Sequence, residues 1–179
     1  MNFSDLIKRR ESCRKYADQR VTREQLTACL EAARLAPSAC NSQPWHFTVV
    51  DNPDTASALA KCTQDIGMNR FTNEVPAFVV VTEEKATLSA RIGQFLKSQT
   101  YAQIDIGLAT AYFTLAAAEQ GLGTCILGWF NEDKIKELTG IAKSKRIRLV
   151  ICVGYPALET PREKVRKPLD EIVTWMEAK

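Results

Sequence analysis

Four cations crowd into RRESCRKY, residues 9–16: Arg9, Arg10, Arg14 and Lys15 stand against a single acid, Glu11. Two adjacent arginines and a third four residues on can fork onto a phosphate through bidentate hydrogen bonds. Ser12 adds a hydroxyl donor. Each charge-assisted bond contributes about 1.5–3 kcal/mol, so three or four would hold a phosphate firmly. A solvated helix end explains the same residues, since cations there suit the helix dipole without any ligand.

A second stretch, APSACNSQPWHF (36–47), sets small and polar residues between two prolines just before an apolar run. Pro37, Ser38, Ala39, Asn41 and Gln43 offer backbone and side-chain donors in a non-repetitive loop, the kind of segment that carries sites. Cys40 and His46 lie close enough in sequence to suggest a nucleophile and its base. Against that hydrolase reading, His46 opens a strand whose alternation turns it away from the loop. Six cysteines without C-x-x-C spacing, and one histidine, do not make a zinc site. GLG (121–123) follows a helix and lacks the third glycine of a dinucleotide fingerprint, so no Rossmann turn is expected.

These stretches need elements to position them. Ser4 is expected to cap a short helix over 5–10. Thr22 and Gln25 form a capping box with Val21 and Leu26 as its staple, starting a helix that runs to about Leu35. HFTVV (46–50) reads as a strand, and NPD (52–54) leads into a helix over 54–62. AFVVVT (77–82) is a continuous β-branched run, hence a buried central strand. A helix is expected over 86–97. Thr100 and Gln103 suggest a second capping box. The helix that follows, 101–120, is apolar nearly all round and so must be buried on most sides, with Gly121 and Gly123 stopping it. TCILGW (124–129) is a strand, Asn131 caps a short helix ending near Gly140, and RIRLVICVGYP (146–156) is the last strand. The pattern is α+β, with helices packed on a small central sheet.

The chain has 179 residues, 45% of them apolar and 25% charged, which suits one domain with its own core. Residues 156–179 form the odd part: three prolines rule out regular helix, yet Val165, Leu169, Ile172, Trp175 and Met176 are apolar and need a surface. An arm of that kind can pack on its own domain or wrap a second subunit. The net charge of +3 is too small and too scattered for a nucleic-acid binder. No apolar run spans a bilayer and no secretory signal opens the chain, so a cytoplasmic location is expected.

Taken in order, RRESCRKY, APSACNSQPWHF, the long apolar helix ending EQGLGTCILGWF, and RKPLDEIV (166–173) resemble the nitroreductase-like flavoproteins of the small single-domain type. The likeness covers nearly the whole chain. It implies an FMN-dependent homodimer with a small, mostly antiparallel sheet packed by helices and a C-terminal arm crossing to the partner. It implies that the flavin carries the chemistry, with NADH or NADPH as donor and no catalytic side chain. Arg9, Arg10, Ser12 and Arg14 would meet the flavin's phosphate, ribityl chain and pyrimidine edge, with Lys164 and Arg166 closing on the phosphate across the dimer. Pro37, Ser38, Ala39 and Asn41 would reach the other subunit's flavin. Leu127, Gly128 and Trp129 would lie beside the ring, and Asn69, Arg70 or Asn73 would contact its pyrimidine. A flavin binder or sensor without catalysis is the alternative within this likeness. Two positions depart from the pattern: Glu11 stands where relatives often have Arg or His, and must point elsewhere or pair with a cation. Trp129 stands where glycine is common.

Overall fold

The β-branched run at 77–82 dictates the centre of the molecule. In the computed structural model, which describes residues 1–85, 87, 100–158 and 160–176, this run is strand β2 (Ala77–Glu83), buried along almost its whole length. It pairs antiparallel with β1 (Trp45–Val50) on one side and β4 (Arg146–Gly154) on the other. β3 (Gly123–Leu127) pairs antiparallel with β4 and completes the order β1-β2-β4-β3. The mostly antiparallel α+β architecture is therefore as expected.

Period-two alternation gives the sheet two apolar faces. Phe78 and Val80 point to one core, shared with Leu59 and Ile135. Ala77, Val79 and Val81 point to the other, shared with Leu26 and Phe113. Helices α3 (Pro53–Thr63) and α5 (Glu132–Thr139) cover the first face; α2 (Arg23–Arg34) and α4 (Tyr101–Glu119) cover the second. Burying Phe113 completely contributes about 3 kcal/mol.

The helix starts follow local chemistry, with two corrections. The box at Thr22 and Gln25 is present in both halves, and Asn52 and Asn131 cap α3 and α5. Helix α1 (Phe3–Arg9) is capped by Asn2, not Ser4: the Asn2 side-chain Oδ1 accepts the Asp5 N–H at 2.9 Å. Thr100 does sit at the start of α4, but its side chain makes no capping bond. Gly121 ends α4 with φ +80°, whereas Gly123 already belongs to β3. The helix expected over 86–97 falls, apart from Thr87, outside the described residues.

Helix α4 is also less enclosed than its composition suggests. Ile106, Ala109, Phe113 and Ala117 face the sheet, but Ile104, Leu108 and Tyr112 form an exposed stripe at four-residue spacing. The physical reason is that these three lie on the side of the helix turned away from the sheet, opposite the residues of the core. Among the described residues, no helix is long and apolar enough to cross a membrane.

Candidate functional site

The charged opening becomes an extended, strand-like segment outside the four-stranded sheet, tied down by isolated bridges at Ser12 and Tyr16. Helix α1 ends at Arg9, and the chain turns extended at Arg10. Ser12 bridges Thr124 of β3 in parallel, and Cys13 N–H donates to Thr124 O at 2.8 Å. Alternation then buries Cys13 and leaves Ser12 and Arg14 on the outer side. Gly123 permits the approach: a Cβ there would stand 2.8 Å from Cys13 Cβ. Tyr16 pins the far end, donating from its buried hydroxyl to Cys13 O at 3.0 Å.

The tail returns to this strand. Ala157 N–H donates to Lys15 O at 3.0 Å, and residues 162–166 then lie beside 8–14 of the same chain. Together they line a cavity of about 330 Å³ that gathers Arg10, Ser12, Arg14, Arg162, Lys164 and Arg166, with Glu11 and Glu163 at its wall. Five cations thus face two carboxylates. Glu11 is taken by Arg162, whose backbone N–H and Nε both donate to it. Glu11 thus pairs with a cation. Partial burial and then the charges of Arg10 and Arg166 hold the Lys164 ammonium pKa below its ordinary value. Burial pushes the Cys125 thiol up, while Arg14, Arg162 and Arg10 pull it down, so the same guanidinium groups overhang β3. The excess of positive charge suits a compact dianion such as a phosphate monoester.

Arg9 does not line this cavity; it lies against Gly121. Within this chain the tail cations Lys164 and Arg166 lie beside Arg10 and Arg14. Arg162 was missed, because nothing local marks a residue that closes a contact 151 positions away.

At the far end of β3, Leu127 is buried while Gly128 and Trp129 are exposed. Asn69, in the left-handed region at φ +51°, reaches this turn: its Nδ2 donates to Trp129 O at 3.0 Å and to Thr63 O at 3.1 Å. Both amide protons are thereby committed to the protein. Asn73 is exposed, and its Oδ1 accepts from Gln64 Nε2 at 2.7 Å. Thr124, beside Ser12, and Leu127 are about 10 Å apart along the strand, so the cationic cavity and the Trp129 turn share one sheet edge.

The loop holding Pro37, Ser38, Ala39 and Asn41 is elsewhere. Cys40, Asn41 and Gln43 all have φ near +50°, a costly run for residues with a Cβ. Ser38 Oγ accepts the Gln43 N–H at 2.9 Å, and the Ala39 N–H donates to both oxygens of Asp105 at 3.2 Å. Asp105 is buried on α4 and was also missed, although an acid inside YAQIDIGLAT was a visible signal. The cationic strand meets α4 near Ala118, about 20 Å along the helix from Asp105. Within one chain the loop and the cavity are therefore separate. Cys40 and His46 are both exposed, with no hydrogen bond between their side chains among the described residues. Nor do the described residues hold a metal-ligating cluster.

A sequence model described as the nitroreductase family matches residues 7–67 and 65–155. The chain is 28% identical to "Putative NAD(P)H nitroreductase YodC" of Bacillus subtilis, over 98% of this chain and 99% of that protein. Its fold matches a nitroreductase family protein from Streptococcus pneumoniae with a TM-score of 0.83 and 25% identity, covering 98% of this chain and 100% of the other. It also matches an FMN-dependent nitroreductase from Clostridium difficile, with a TM-score of 0.77 and 26% identity over 95% and 96% of the two chains.

Proposed function

This chain belongs to the nitroreductase family, and from that premise we propose that it is an FMN-dependent oxidoreductase. It takes electrons from NADH or NADPH in a ping-pong cycle and passes them to a nitroaromatic, quinone or similar acceptor. The relatives named above carry the same donor and cofactor in their names. The observation that carries the reading is the convergence of Arg10, Ser12, Arg14, Lys164 and Arg166 on one cavity.

FMN fits that donor set. Its phosphate would supply the negative charge that the five cations lack, and a bound dianion would offset both the burial and the neighbouring guanidinium charges that depress Lys164. When bound, the flavin supplies the redox chemistry: it accepts hydride from the nicotinamide and hands electrons on. The chain's residues bind and orient. Arg10, Arg14, Lys164 and Arg166 would hold the phosphate by charge-assisted bonds, with the Ser12 hydroxyl adding a donor. The Leu127–Trp129 turn would lie toward the ring, and Asn69 fixes that turn by donating to the Trp129 carbonyl. The half-exposed Trp129 indole would then meet the donor and acceptor as they enter.

The second chain enters through Pro37, Ser38, Ala39 and Asn41. Their distance from their own cavity, the uncovered apolar stripe on α4, and the exposed apolar tail all support a homodimer in which this loop serves the partner's flavin.

The test begins with colour. The purified protein is expected to be yellow, to release FMN on denaturation, and to bleach under NADH or NADPH without air. A flavin carrier without catalysis would stay yellow. Arg10→Ala or Arg166→Ala should weaken FMN binding at least about tenfold. Two fully loaded variants would overturn the phosphate assignment.

A further inference from the structure

Glu11 is an acid at the wall of a cavity built for an anion. Its neighbours explain it. Beyond Ala157, the described residues of the tail make no backbone–backbone hydrogen bond until the turn at Pro168. Side chains hold this stretch instead. Arg162 donates to Glu11 from its backbone N–H at 3.2 Å and from Nε at 3.3 Å, and its Nη2 donates to Ser12 O at 2.5 Å. Lys164 Nζ donates to Lys8 O. Glu11 keeps only 16% of its side chain exposed, whereas Arg162 keeps 56%. The acid is thus seated in the fold and the arginine reaches in to it.

We propose that Glu11 is a positioning residue for the phosphate end of the site: through Arg162 it clamps the tail onto the N-terminal strand, so that Lys164 and Arg166 face Arg10 and Arg14 before any anion arrives. This rests on the reading of the cavity as the seat of the flavin phosphate. Without a clamp, five like charges would drive the tail away from the strand, and each binding event would have to order it again. Glu11 tolerates its place because its charge is directed at Arg162. It acts on the anion only through the tail.

Two physical effects of removing this charge have opposite signs, which makes the proposal sharp. If Glu11 were merely a nearby negative charge, Glu11→Gln would tighten anion binding. If it is the clamp, Glu11→Gln loosens the tail and weakens binding. FMN and riboflavin are titrated by flavin fluorescence into the flavin-stripped full-length chain, and tryptic cleavage after Lys164 and Arg166 is followed under native conditions. The expected result for Glu11→Gln is FMN affinity about fivefold weaker, since the pair is partly exposed. Riboflavin affinity should not change, and cleavage after Lys164 and Arg166 should accelerate in the FMN-free protein. In an Arg162→Ala background no clamp remains to be lost, so adding Glu11→Gln should leave FMN binding unchanged or strengthen it. Equal or tighter FMN binding by Glu11→Gln alone overturns the proposal, as does unchanged cleavage. Should the wild-type chain bind FMN no better than riboflavin, the phosphate reading fails by itself. Cleavage then decides the clamp: acceleration supports it and constancy refutes it. If Glu11→Gln does not fold, Arg162→Ala replaces it in the cleavage measurement with the same two outcomes.

Discussion

Lys164 carries its charge under stress, and that stress gives the site a pH signature. Burial, then Arg10 and Arg166, depress its pKa in the flavin-free protein. In the unfolded chain the ammonium returns to about 10.4. Between those two values the unfolded chain binds more protons than the folded one, so stability of the flavin-free protein rises with pH across that window. A bound phosphate favours the ammonium and shifts the pKa back up. Binding therefore takes up protons, and FMN affinity falls as pH rises through the depressed pKa. The two trends run in opposite directions over the same alkaline range. Fluorescence titrations and thermal melts across it should show both, and Lys164→Met should flatten both while weakening FMN binding about five- to tenfold. A Lys164→Met protein that kept the wild-type alkaline loss of affinity would place its origin in another group.

At the scale of elements, the site depends on one strand meeting another. Gly123 lets residues 12–13 lie against β3, and a methyl group there would collide with Cys13 Cβ at 2.8 Å and Sγ at 2.9 Å. Neither can yield easily, because Cys13 is buried and its backbone N–H is bonded to Thr124 O. Gly123→Ala should cost about 1–3 kcal/mol of stability. It should also weaken FMN binding, because Ser12 and Arg14 move with the strand. Denaturant melts paired with FMN titration check both; a variant that loses stability yet keeps full affinity would separate the strand from the site. The same contact marks the limit of reading from sequence. The box at Thr22 was legible because its residues are neighbours and Thr22 is extended, at ψ 157°. The identical spacing at Thr100 fails because its backbone sits at ψ 62°, which the sequence does not announce. The cations of 9–16 and 164–166 stand out by type in the sequence, and four of them, Arg10, Arg14, Lys164 and Arg166, line one cavity. That Arg9 would turn away to Gly121, that Arg162 would join, and that Asn69 would spend its amide on Trp129 O all depend on which strands become neighbours.

At the scale of the whole molecule, an apolar stripe runs along the outer side of α4. Ile104, Leu108 and Tyr112 stand 52%, 39% and 43% exposed on a helix whose other side is fully buried. Leu35, at 68%, adds to the apolar surface. Such a stripe on a helix that also positions the 37–41 loop, through Asp105, ties two properties together. If a second copy covers the stripe, it also carries its own loop toward the first copy's flavin. Dimer formation and flavin affinity should then fail together. Leu108→Lys places a charge in the middle of the stripe and should convert a dimer to monomer in sedimentation velocity. The monomer would keep its own Arg10, Arg14, Lys164 and Arg166 and so retain phosphate-driven binding, but without the partner's Pro37, Ser38, Ala39 and Asn41. FMN affinity should therefore drop at least about tenfold and become concentration-dependent in the wild type near its dissociation constant. A monomeric Leu108→Lys protein with undiminished FMN affinity would show that one chain builds the whole site, and would leave the strained loop at 40–43 without a role in holding flavin.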